Sequence, residues 1–183
     1  QRVQLLFAVA LLIAPVFLYF MASLHQQLLP SVTMSKVTGF TLAIFYFLAA
    51  TLSYGAQLTL VPHHLQQNAI FMAELWYFFN TASIASFINQ TGYALWALAV
   101  MLLFWPLLKR AGMEKWLGIL FMISAVLSLA TYAGLLTGVP SLVPLTFASG
   151  GLVIPIAVLA LIQAIHKLKM DAAPDEPEMA AVT

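Results

Sequence analysis

Glu74 is the residue best placed to do chemistry in this sequence. It stands in "FMAELWYFFNTASIASFINQTG" (Phe71–Gly92), where Asn80, Thr81, Ser83, Ser86, Asn89 and Gln90 follow it through otherwise apolar chain. An ionisable side chain inside a membrane-crossing segment is rare and costly, and by default it marks an ion or substrate pathway. On a continuous helix Glu74, Phe78, Thr81 and Ala85 share one face, with Tyr77, Asn80 and Ser83 beside it. The result is a polar stripe, which belongs against the bundle interior. There it lines a wet cavity, or it hydrogen-bonds a neighbouring helix at only about 0.6 kcal/mol per contact. Tyr54 and Gln57, three residues apart, point the same way and with Ser53 can meet the stripe across a short loop. The expected cavity-lining set is therefore Glu74, Tyr54, Gln57, Tyr77, Asn80, Thr81 and Ser83. Gln163, near the inner end of the last apolar run, is a further candidate.

Other chemistry is sparse. The four histidines are His25, His63, His64 and His166. None falls in the middle of an apolar run, as a membrane haem requires. His63 and His64 would point roughly 100° apart on a helix. No metal and no cofactor is expected. The absence of cysteine excludes thiolate metal sites, thiol catalysis and disulfides. HExxH and GxSxG are both missing, and only Glu74 and Glu114 precede the tail as carboxylates. Glu74 with a histidine such as His64 or His166 is the one acid–base arrangement left to an enzyme, and catalysis is the least favoured role.

The elements that position these groups follow from composition. Hydrophobic residues make up 63% of the 183 residues and charged residues 7%, with a mean hydropathy of +0.99. Soluble domains carry about 25% charged residues, so this chain cannot cover a water-facing surface. The apolar runs are continuous rather than alternating, which makes them helices and not barrel strands. The expectation is an all-α, polytopic bundle of six spans near 3–24, 40–61, 69–88, 93–108, 116–136 and 142–165, forming one domain over 1–169. An acidic, Pro-containing tail follows over 170–183 and is expected to be disordered. The chain begins at Gln1 rather than Met, which leaves room for a start residue or a short leader before it. The run Val3–Leu24 exceeds a signal-peptide core of roughly 7–15 residues and is read as a retained helix.

Six spans place both termini on the cytoplasmic side. Arg2, Lys109, Arg110, Lys115, Lys167 and Lys169 are then inside and Lys36 alone outside, a positive-inside pattern. In the sixth span Gly150, Gly151 and Pro155 predict a kink or break. Broken helices often frame transporter sites near the bilayer midplane, and a three-plus-three arrangement would pair the third span with the sixth. The alternative role for the two glycines is close helix packing.

The C-terminal half resembles a family of bacterial six-helix membrane proteins of unknown function. The carrying residues are "ALWALAVMLLFWPLLKRAGMEKWLGILFMISAVLSLATYAGLLTG" (Ala94–Gly138) and "LVIPIAVLALIQAIHKLK" (Leu152–Lys169). They show an apolar span ending in Leu107–Arg110, a short link into Trp116–Gly118, and an apolar-Pro-x-Ala sequence at Pro155–Ala157. The resemblance implies the six-helix fold and the bacterial cytoplasmic membrane, and supplies no activity.

A net charge of +1 without a basic stripe argues against nucleic acid as a partner. Three roles remain. The first is an accessory subunit of a membrane assembly or a lipid or small-molecule binder, with the bilayer, other membrane subunits or a second copy of the chain as partners. The second is a small transporter or channel using Glu74. The third is an intramembrane enzyme.

Overall fold

A computed structural model of the chain describes residues 2–29, 31, 33–142 and 144–171, and the predicted acidic tail lies almost wholly outside them. All regular structure among the described residues is helical: α1 (Arg2–Leu28), α2 (Met34–Leu58), α3 (Leu60–Gln66), α4 (Ile70–Trp76), α5 (Ile84–Phe104), α6 (Gly112–Thr137), α7 (Leu145–Gly151) and α8 (Val153–Asp171). Five helical stretches among these residues are long and apolar enough to cross a membrane: Gln4–Leu28, Met34–Gln66, Ile84–Lys109, Gly112–Thr137 and Leu145–Lys167. They suggest an integral membrane protein.

The difference from six lies at the predicted third span. The 69–88 segment is not one helix. Seven-residue α4 stops at Trp76, the backbone turns through 77–83, and α5 then runs 21 residues without interruption across Asn89–Gly92, where a hairpin was expected. At about 1.5 Å per residue α5 is roughly 32 Å long and matches the hydrocarbon core, whereas α4 reaches only about 10 Å. The predicted third and fourth spans thus become one crossing helix and a short lead-in, and the pairing of the third span with the sixth has no basis. The second span also outruns its predicted end: the helix bends at Thr59 and continues through Pro62 to Gln66. Pro62 has no N–H to give to Leu58, so the bend sits where a helical bond cannot form.

Small residues decide the packing. α2 and α5 form the most extensive helix pair. Gly39, Ala43, Ala50 and Ser53 are buried on α2, and Ala85, Gly92 and Ala99 on α5. A Cβ at Gly92 would lie 2.9 Å from the Ala49 Cβ, and Ser53 Oγ donates to the Ala85 carbonyl at 2.9 Å. Without a hydrophobic drive between helices in lipid, such close approach supplies the association. Gly92→Leu is therefore expected to force α2 and α5 apart and cost about 1–3 kcal/mol, read as a lower unfolding temperature in detergent. A variant as stable as the parent would mean the contact is dispensable. Bulk fills the ends: Phe104 stacks on Phe121 at 4.2 Å within one buried cluster, and Phe7, Ala14, Ala50 and Tyr54 form a second.

Charge gathers at one end. Ser35 Oγ donates to the Leu102 carbonyl at 2.8 Å, Gln163 Nε2 to Glu114 Oε1 at 3.3 Å, and Lys167 Nζ to the Gln27 carbonyl at 3.0 Å. These bonds bring together the ends of α1, α5 and α8 and the starts of α2 and α6. Lys36 therefore shares an end with Lys109, Arg110, Lys115 and Lys167, and does not oppose them as six spans required.

Candidate functional site

α6 carries Ser124, Ser128 and Thr131 at i, i+4 and i+7, one helical face. A hydroxyl in an apolar helix commonly turns back to its own i−4 carbonyl, and Thr131 does so, donating to Leu127 at 3.0 Å. The two serines instead meet Ser149 on α7. Ser128 Oγ lies 2.7 Å and Ser124 Oγ 3.1 Å from Ser149 Oγ, which itself donates to the Ser124 carbonyl at 3.0 Å. All three are buried.

The helix carrying Ser149 ends two residues later. α7 stops at Gly151 and α8 begins at Val153, with Pro155 in its first turn. Pro155 cannot donate to the Gly151 carbonyl, so the break is built into the sequence. The expected helix-breaking residues Gly150, Gly151 and Pro155 lie at this junction. Close packing is not what the two glycines serve, because nothing stands within 4 Å of a Cβ added at either. Gly150 opens onto a cavity of about 180 Å³.

The serine cluster forms one wall of that cavity, and Tyr46, Tyr93 and Trp96 contribute to the other. Their rings hold one another in place: Tyr46 lies 5.5 Å from Tyr93 and 5.2 Å from Trp96, which is 4.9 Å from Phe17. Tyr54, from the predicted set, is buried and its hydroxyl is 3.3 Å from that of Tyr93. Phe17, Tyr46, Tyr93, Ser124 and Ser128 each fall near the midpoint of their helices, so the cavity sits halfway along the bundle. No Asp, Glu, Lys, Arg or His lines it.

The remaining predicted lining residues lie elsewhere, around the break before α5. Gln57 is buried and clasps that break: its Nε2 donates to the Trp76 carbonyl at 2.6 Å, and its Oε1 accepts from Phe78 N at 3.0 Å. Asn80 folds its own turn, Oδ1 accepting from Ala82 N at 3.1 Å and Nδ2 donating to the Glu74 carbonyl at 3.4 Å. Ser83 caps α5, accepting from Ser86 N at 3.1 Å. Thr81 and Tyr77 are exposed. Glu74 is exposed on α4, beside a shallow apolar recess formed with Val61, Leu65 and Tyr77. Gln163 pairs with Glu114 at the basic end. His166 lies on α8 at that same end, opposite Glu74, so the two cannot act as an acid–base pair.

Sequence reasoning passed over Tyr46, Tyr93, Trp96, Ser124, Ser128 and Ser149. The signal for the serines was present in the i, i+4 spacing of α6, but one carboxylate outweighed it. Among the described residues no group of three or more His, Asp or Glu is arranged to hold a metal ion. No protein-family profile, curated protein or solved structure matches the chain.

Proposed function

We propose that this chain is a five-span integral membrane protein that binds a small, uncharged, hydroxyl-bearing molecule in the cavity beside the α7–α8 break. The observation that carries this reading is the buried Ser124–Ser128–Ser149 cluster facing an aromatic wall across open space. Glue between two helices would need neither the space nor the facing tyrosines.

The polar groups define the ligand. Three serine hydroxyls hold three protons, and all can be used within the cluster: Ser149 donates to the Ser124 carbonyl, and Ser124 and Ser128 donate to Ser149. Lone pairs on Ser124 and Ser128 remain as acceptors. On the other wall Tyr46 and Tyr93 carry phenolic hydroxyls that can donate. A ligand hydroxyl satisfies both walls. An ion does not fit, because a charge desolvated here would meet no counter-charge. Size narrows the class further: a cavity of about 150 Å³ admits benzene, so about 180 Å³ suits one substituted ring.

Gly150→Leu tests this reading, because Gly150 lines the cavity and a Cβ added there meets nothing within 4 Å. Phenol binding, measured by calorimetry on the protein in lipid nanodiscs, is expected to weaken at least about tenfold while the unfolding temperature holds. Equal phenol affinity in parent and variant would remove the cavity as the site.

We also propose that the basic end faces the cytoplasm. Five crossings then place the N-terminus outside and the C-terminus inside, with Lys36, Lys109, Arg110, Lys115, Lys167 and Lys169 inside and Arg2 outside. Glu74 would stand on the outer side, away from the cavity, so transport coupled through it is not the role the geometry favours.

A further inference from the structure

We propose that the ligand is a single-tailed amphiphile dissolved in the bilayer, which inserts its hydroxylated ring sideways between α1 and α8 and leaves its tail in the groove between those helices. This rests on the cavity reading above. Three observations support it.

The first is continuity. An outward-facing groove of about 350 Å³ runs along α1 and α8, and it shares Phe17 and Val153 with the cavity. Phe17 and Val153 thus border both spaces. The second is the contrast in lining. The groove is wholly apolar, with Val9, Leu12, Val16 and Phe20 on α1 and Ala157 on α8, whereas the cavity behind it holds the serines and tyrosines. One site thus changes from apolar to hydrogen-bonding along a single direction, as a tail-and-head molecule requires. The third is the packing. α1 packs on α2, and α8 on α6 and α7, but no extensive α1–α8 contact closes this side of the bundle. The break at Leu152 places Val153 at the start of a new helix, where a small shift of α8 widens the opening.

The experiment uses the full chain in phosphatidylcholine nanodiscs with three probes: phenol, 4-dodecylphenol, and 4-dodecylphenol bearing a diazirine midway along its tail. Ala157→Trp fills the groove from an exposed position outside the cavity lining. It is expected to weaken 4-dodecylphenol about tenfold and leave phenol unchanged. Photolysis should label α1 between Val9 and Phe20 and α8 between Val153 and Ala157, and excess unlabelled 4-dodecylphenol should suppress the labelling. Equal binding of 4-dodecylphenol by parent and Ala157→Trp, or labels confined to other helices, would overturn the sideways insertion. The cavity reading would still hold if Gly150→Leu abolished phenol binding. Failure of both phenol and 4-dodecylphenol to bind the parent protein would overturn both.

Discussion

Gln57→Leu is expected to lower stability by about 2–6 kcal/mol. Gln57 is 4% exposed and holds the chain where it leaves α4, with one bond to the Trp76 carbonyl and one from the Phe78 amide. Leucine has nearly the same volume, so packing is kept while a carbonyl and an N–H lose their partners. Each buried backbone group left unpaired costs about 1–3 kcal/mol. The loss falls where the chain leaves the helical state, and no neighbouring turn can take up those groups. Hydrogen exchange should therefore quicken first at Phe78, and protease cleavage should appear within 77–83 before global unfolding. Gln57→Glu separates the two bonds: an ionised carboxylate can still accept from Phe78 N but has nothing to donate to Trp76. It should be damaged as well. A Gln57→Leu protein that melts with the parent, with Phe78 exchange unchanged, would show that the break needs no clasp.

The same residues explain what was legible in the sequence. Asn80 and Ser83 formed a polar stripe only if the helix continued past Trp76. Short polar side chains compete for backbone groups and favour turns and caps over helix interiors, so the residues that drew the stripe are those that end the helix. Hydropathy could not reveal this, because Phe71, Phe78 and Phe79 keep the window apolar across the break. Asn89–Gly92 produced the converse error. A polar tetrapeptide ending in glycine looks like a hairpin, yet Gly92 is required by the closeness of Ala49 on α2. The helical character and the apolar runs behind α1, α2, α6 and α7–α8 were legible, since a continuous apolar stretch reports on a helix without reference to the rest of the chain, and Pro155 lies where α7 gives way to α8. The cavity was not, because it depends on Ser149 meeting serines 21 and 25 positions earlier. Such a meeting is set by how α7 docks on α6, not by any spacing within either.

Labelling of single cysteines should separate the possible topologies without ambiguity, because the chain contains no native cysteine. Gln67→Cys lies exposed beyond α3, and Ala111→Cys lies exposed between α5 and α6 at the basic end. In intact cells a membrane-impermeant maleimide is expected to label Gln67→Cys, and to reach Ala111→Cys only after permeabilisation. Six spans with both termini inside would shield both positions. Five spans with the N-terminus inside would expose Ala111→Cys and shield Gln67→Cys. The charge distribution makes the first outcome the expected one. Either five-span orientation keeps six Lys and Arg positions at one end and Arg2 at the other, and translocation disfavours sending the larger group across. Six spans preserved the same bias only by assigning Lys36 to the opposite side, and Ser35 reaching the end of α5 removes that assignment. Labelling at Ala111→Cys alone would reverse the proposed orientation, and the recess beside Glu74 would then open to the cytoplasm.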